Sequence, residues 1–266
     1  ICFILLAAAS LTVIMPLWFM ISTALKSMDE IFTYPITWYP HEPIWSNFKD
    51  AWARAEFSRW FLNSVFVAAF AILGGVLANS LVAYGFARFK FRGKSILFAA
   101  MLLSMMLPAQ VLMIPQYLWY QKLGWVGSYM PLTVPYFFAI QGFFVYLISN
   151  FISGIPTELD EAAKIDGATK TQTLRRIIIP MVMPSLTICL FLTLTNSFKL
   201  FDQNLALTAG GPGRQTSMLA LDIYSTFYGR VGWEGVGQAK AVVFFLMVAI
   251  ISLTQLYLTR RKEGEN

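Results

Sequence analysis

Glu158-Leu159-Asp160-Glu161-Ala162-Ala163-Lys164-Ile165-Asp166-Gly167 is a charged, glycine-broken island between two long apolar runs, and it continues through Arg175-Arg176 to Pro180. Around it the 266-residue chain is 57% hydrophobic and only 13% charged. Soluble domains carry roughly 25% charged residues. With a mean hydropathy of +0.61, the composition is that of a polytopic membrane protein. In such a chain a polar island is expected to be a docking surface for a partner outside the bilayer.

Working outward, a spanning helix needs about 20 apolar residues. Six segments qualify: residues 2–25, 61–86, 96–118, 130–151, 181–200 and 241–258. Residues 1–25 are too long and too uniformly apolar for the hydrophobic region of a signal peptide and read as a span. The chain opens on Ile1 rather than a methionine, which leaves room for residues upstream. No stretch is large enough to hold a soluble core of its own. The expectation is an all-α integral membrane protein, a single transmembrane domain over residues 1–266, with residues 157–176 forming a polar loop between spans four and five.

The net charge of +6 reads as membrane topology rather than as a nucleic-acid surface, because loops on the cytoplasmic side carry an excess of Lys and Arg. Arg88, Lys90, Arg92 and Lys94 follow span two, Lys164, Lys170, Arg175 and Arg176 follow span four, and Arg260, Arg261 and Lys262 follow span six. The opposite loops hold Lys49, Arg54, Arg59, Lys122, Arg214 and Arg230, and the first of them adds five acids. Eleven basic residues against six place the first group, the island included, in the cytoplasm. Both termini then lie inside. The outer loops are rich in turn and aromatic residues, among them Trp38, Tyr39, Trp45 and Trp60, which suit an interfacial belt.

Within the island, Thr157 followed by Asp160 resembles a capping box. Glu158, Asp160 and Glu161 crowd the first turn, where the helix dipole favours anions. The helix is expected to reach about Asp166, with Gly167 as its stop. A second short helix is expected over residues 171–176, leading to Pro180 in the first turn of span five. Leu159, Ala162 and Ala163 share a side, with small side chains that let another backbone approach. The alternative is an amphipathic helix lying on lipid.

Polar groups inside spans are costly and often functional. Asn79 and Ser80 in span two, Gln110 in span three, Gln141 in span four, and Asn196, Lys199 and Asp202 at the end of span five stand out. Asn79 and Ser80 also suit hydrogen bonds between helices. Lys199 and Asp202, three apart, have the spacing of a helical ion pair. No phosphate-binding loop occurs, since Gly210-Gly211-Pro212-Gly213-Arg214 lacks the lysine. His41 is the one histidine, and Cys2 and Cys189 both fall in apolar runs. Neither a metal site nor a catalytic set follows from them.

Glu161-Ala162-Ala163, three residues, Gly167, nine residues, then Ile177-Ile178-Ile179-Pro180 resembles the EAA motif of bacterial ABC-importer permeases, with Ile179 in the place of a leucine. Ala83-Tyr84-Gly85-Phe86-Ala87-Arg88-Phe89, Pro108-Ala109-Gln110-Val111 and Tyr34-Pro35-Ile36-Thr37-Trp38 are similar to the maltose-type permeases. Ser197-Phe198-Lys199-Leu200-Phe201-Asp202 and Leu207-Thr208-Ala209-Gly210-Gly211-Pro212 resemble the carbohydrate-uptake subfamily.

The resemblance covers the whole chain and implies the type I importer permease fold: six transmembrane helices plus a cytoplasmic coupling helix. It implies a multi-pass protein of a bacterial cell membrane, forming half of a translocation path for a sugar, oligosaccharide or related polyol. Glu158, Glu161, Ala162, Ala163, Asp166 and Gly167 would form the surface that docks on an ATPase. Asn79, Gln110, Gln141, Asn196 and Lys199 are the candidates for the substrate path, and Gly210, Gly211 and Pro212 for contact with a solute-binding protein. The implied partners are a second homologous permease, two cytoplasmic ATPases carrying the ATP and Mg, and an extracytoplasmic binding protein. This chain itself would be no enzyme and would hold no cofactor. The rival readings are the same machinery moving glycerol phosphate, an ion-coupled secondary transporter, and a membrane-embedded enzyme.

Overall fold

The computed structural model describes residues 2–53 and 56–264. Arg54, counted in the first outer loop, lies outside them, as do Ile1 and the side chains of Cys2, Arg260, Arg261 and Lys262. Among the described residues the chain is helical, without a strand. The main helices are α1 (Cys2–Ala24), α2 (Phe57–Arg88), α3 (Lys94–Ser104), α4 (Ala109–Lys122), α5 (Gly142–Ser153), α6 (Thr157–Ile165), α7 (Ile179–Phe198), α8 (Leu219–Gly229) and α9 (Glu234–Gly264). Five stretches are long and apolar enough to cross a membrane: Leu5–Ala24, Phe57–Arg88, Met130–Ser153, Lys170–Phe198 and Glu234–Thr259. The α3–α4 pair makes a sixth if the two helices are counted as one span, bent by 103° at the break between them.

That bend corrects the expectation of one continuous helix over residues 96–118. Pro108 has no N–H to donate and pushes the residue before it out of the helical region. The chain turns there through bonds that reach three residues back, from the Met105, Met106 and Leu107 amides to the Leu102, Leu103 and Ser104 carbonyls. Span four departs from expectation as well. It opens with a helical turn, Met130–Thr133, passes into a 3-10 turn, Val134–Phe138, and resumes as α5. Between them Ala139 adopts a left-handed backbone at φ +52°. Irregular backbone at membrane depth is tolerated where protein or a cavity satisfies it.

The polar loop also differs in detail. Pro156 takes the extended backbone of the cap position, so Thr157 already lies inside α6 and makes no capping bond. The capping box is one loop later: the Gln172 amide donates to Thr169 Oγ1 at 3.3 Å and the Thr169 amide to Gln172 Oε1 at 2.7 Å. The short helix it starts, Lys170–Thr173, widens into a π turn, Leu174–Ile178, that runs straight into α7. A proline ring clashes with the carbonyl four residues back in a regular helix. For Pro180 that carbonyl belongs to Arg176, inside the widened turn.

The chain divides into two compact units. The first comprises residues 1–64 and 217–250. Its core joins Ala24, Ala51, Val236, Ala239 and Val242, with Met20, Phe48 and Trp233 packed on it. The loop after α1 is strapped down by hydrogen bonds to backbone. Ser22 Oγ donates to the Trp38 carbonyl at 2.9 Å, Asn47 Nδ2 to the Ala24 carbonyl at 2.9 Å, and Lys26 Nζ to the Thr37 carbonyl. Burial holds the Lys26 ammonium below the usual lysine range, and Glu30 opposes the shift. In the same unit α9 approaches α8 closely at Gly237, where a Cβ would come within 2.9 Å of Phe227 Cβ and 3.0 Å of its backbone. Gly237→Ala must therefore push the two helices apart. A loss of about 1–3 kcal/mol is expected, read as a lower thermal midpoint in detergent.

The second unit comprises residues 65–216 and 251–266. Its core is Ala83, Phe144, Val145, Ile148, Ile152, Ile155, Ile178, Val182 and Cys189, contributed mainly by α5 and α7. The polar loop hangs from the ends of these two helices, so Ile155 and Ile178 anchor both of its flanks in the core.

Candidate coupling surface and substrate path

α6 has two faces set by its 100° step per residue. Glu158, Glu161, Ala162 and Ile165 point away from the protein, and Ile165 is 85% exposed. Asp160 and Ala163 turn inward. Ala163 is only 7% exposed, which corrects its assignment to the docking face: it packs this helix onto its own subunit. Ile165, an exposed apolar residue one turn past Glu161, lies on the outward side instead. Its signal in the sequence was the i, i+4 spacing from Glu161.

Asp166 caps the helix, and Gly167 ends it at φ +78°. The Gly167 amide donates to the Lys164 carbonyl at 3.1 Å and the Ala168 amide to the Ala163 carbonyl at 2.9 Å. This pair of bonds is the Schellman ending, which requires a left-handed residue at this position. The turn directs the chain into the Thr169 cap, so the helix–glycine–helix surface follows from local chemistry alone.

The polar candidates in the spans separate into two groups. Gln110, Asn196 and Lys199 come together around a cavity of about 210 Å³, with Phe201, Asp202 and Gln203. Gln110 sits in the first turn of α4, just past the Pro108 break, and Asn196 and Lys199 at the end of α7. The chain turns between Lys199 and Asp202, and no ion pair joins them. Both are exposed. The cavity offers three amides, one cation and one anion, a neutral set of donors and acceptors suited to hydroxyl groups. Asp202 and Gln203 join these candidates in the lining; they lie just past the end of α7, where span periodicity no longer places a side chain.

Asn79 and Gln141 form the other group. Asn79 Nδ2 donates to Gln141 Oε1 at 3.0 Å, and Asn79 is fully buried. These two serve the break in span four, where they bind α2 to the start of α5, rather than the cavity. Residues 204–216 form a hydrogen-bonded platform. Buried Asn204 donates to Thr208 Oγ1 and to the Thr216 carbonyl, both at 2.8 Å, and Thr216 Oγ1 to the Gly211 carbonyl at 2.7 Å. Gly210 is buried beneath it, while Pro212 and Gly213 are exposed at its tip.

One constellation escaped the sequence reading. Lys240 Nζ meets Asp222 Oδ2 at 2.5 Å and Thr226 Oγ1 at 2.7 Å, with the two charged side chains 0% and 1% exposed. Its trace in the sequence is a lysine one residue before the apolar run of span six.

Comparison with known proteins agrees with this geometry. The chain is 44% identical over 151 residues to the probable starch degradation products transport system permease protein AmyD of Thermoanaerobacterium thermosulfurigenes, covering 54% of this chain and 51% of that protein. It is 35% identical over 190 residues to the probable ABC transporter permease protein YurM of Bacillus subtilis (strain 168), covering 70% of this chain and 61% of YurM. The match thus spans between half and two thirds of the length of these relatives. Among solved structures, a bacterial ABC transporter involved in the import of the acidic polysaccharide alginate superposes with a TM-score of 0.80 at 20% identity, over 94% of this chain and 92% of that one. That likeness establishes a shared fold. The sequence pattern described as binding-protein-dependent transport system inner membrane component matches residues 71–264, and this chain belongs to that family of membrane-spanning transport subunits.

Proposed function

We propose that the chain is the transmembrane subunit of an ATP-driven, binding-protein-dependent importer and forms half of the translocation path for a sugar or oligosaccharide. The observation that carries this reading is the helix–glycine–helix surface that presents Glu161 and Ile165 outward on the loop between α5 and α7. With both termini and this surface in the cytoplasm, α6 docks on an ATPase subunit, and Glu161 pairs with a basic residue there. A second, different permease completes the path. Two ATPases bind ATP and Mg, and an extracytoplasmic solute-binding protein delivers the solute to the Pro212 tip.

ATP binding closes the ATPase pair and moves α6, which shifts the permeases from inward-facing to outward-facing. The nucleotide acts only through its different affinity for the two states. Gln110, Asn196 and Lys199 then line the route. The balanced charge of their cavity favours a neutral polyol over an anion such as glycerol phosphate. The name of the AmyD relative, a permease for starch degradation products, points to the same class of solute.

The test is reconstitution with the partner permease, the ATPases and the binding protein, with maltotriose as the solute probe. ATP hydrolysis is measured with and without loaded binding protein. Glu161→Ala is expected to lower the stimulated rate about ten-fold or more, a loss in line with removing one partner of a desolvated interfacial charge pair. A stimulated rate equal to the parent's would sink the docking assignment.

A further inference from the structure

Asp160, the residue before Glu161, points the other way. Its carboxylate lies 3.4 Å from the guanidinium of Arg88, Oδ2 to Nη2. Arg88 is the last residue of α2, and its side chain is 10% exposed against 31% for Asp160. Both belong to the second unit. The pair is incompletely made: Arg88 Nε and Nη2 and Asp160 Oδ1 are buried without a hydrogen-bond partner.

A guanidinium and a carboxylate can meet in a two-bond fork that satisfies both groups. An arginine buried to this extent pays for every N–H left unmade. The observed spacing therefore lies one small displacement of α6 short of a much stronger arrangement. A contact whose strength differs between two positions of a helix supplies what a conformational switch needs, namely an interaction energy that is unequal in the two states. The placement is equally specific. On α6 the docking face and the Asp160 face lie back to back, so a push on Glu161 and Ile165 moves Asp160 against the end of a spanning helix. Ala163, buried beside it, keeps the two surfaces in register.

We infer that Arg88 is a transmission residue. It carries movement of the docking helix into α2 by exchanging the loose contact with Asp160 for the forked one. This role rests on the importer reading above. It adds a second route into the membrane, beside the covalent one through the π turn into α7.

The reconstituted complex tests it, with maltotriose-loaded binding protein as the stimulus. Arg88→Gln and Asp160→Asn should each keep the ATPases bound on purification and keep the unstimulated hydrolysis rate. Each should lower the stimulation at least about five-fold, the lower end of ordinary coupling between sites. The exchange Arg88→Asp with Asp160→Arg should recover most of it. Should Arg88→Gln fail to fold, Asp160→Asn, at a third-exposed position, decides alone. Full stimulation in the single variants overturns the inference. So does loss of stimulation in step with loss of bound ATPase, or an exchanged pair as inactive as its parents. A parent complex that the binding protein does not stimulate overturns the importer reading itself, and this inference with it.

Discussion

Asp222→Ala is expected to destabilise the protein by about 3–5 kcal/mol, the range for breaking one side of a buried ion pair. The reason is Lys240. Its ammonium is fully buried against Asp222 at 2.5 Å and Thr226 at 2.7 Å. With the carboxylate gone, the lysine must stay charged in an apolar environment, lose its proton, or tear the N-terminal turn of α9 away from α8. Close packing at Gly237 leaves α9 little room to move. The measurement is thermal unfolding in detergent, with folded yield as a second readout. The double variant Asp222→Leu, Lys240→Met should lose much less than Asp222→Ala, because replacing both charges removes the desolvation cost along with the attraction. A thermal midpoint for Asp222→Ala within a degree of the parent would show that the pair is not what holds α8 to α9.

The second large effect is expected at Gly167. Gly167→Pro should abolish coupling, lowering binding-protein-stimulated ATP hydrolysis about ten-fold or more in the reconstituted complex, whereas Gly167→Asn should remain near the parent rate. The backbone there sits at φ +78°, and proline is locked near −65°. Proline also removes the amide that donates to the Lys164 carbonyl at 3.1 Å. The chain can no longer turn from α6 into the Thr169 cap, so Glu161 and Ile165 leave their place relative to α7. Asparagine tolerates the left-handed region and serves as a helix C-terminal residue, so it keeps the turn. Equal rates in the two variants would mean that the geometry of this turn is irrelevant to coupling.

Much of the fold was legible because it rests on local properties. Runs of about 20 apolar residues mark helices that cross a bilayer whatever surrounds them. α1, α2, α7 and α9 accordingly lie close to where hydropathy puts them. Gly167 as a helix stop could be read for the same reason, since a left-handed turn is chosen by the residue that occupies it. The cap was misplaced by one loop because two threonines, Thr157 and Thr169, offer the same chemistry; which one is outside a helix depends on Pro156. The breaks in spans three and four were hidden because a hydropathy window registers apolarity and not backbone direction. A proline such as Pro108 or Pro135 disfavours a regular helix around it, but does not say that the first becomes a 103° bend and the second a 3-10 turn.

The candidate site shows the same division. The sequence by itself determined that this chain spans the membrane, that its polar island forms a helix–glycine–helix surface, and which polar residues lie inside apolar runs. All of these follow from neighbours a few positions apart. Only the tertiary structure decided which of those residues meet. Gln110 and Asn196 share a cavity although α5 and α6 lie between them in the chain. Asn79 is taken up by Gln141, Lys240 by Asp222, and Asp160 faces Arg88 while Glu161 beside it faces out. Each buried polar group must find a partner where no water can serve. The fold brings that partner from a distant part of the chain, beyond the reach of periodicity and local spacing.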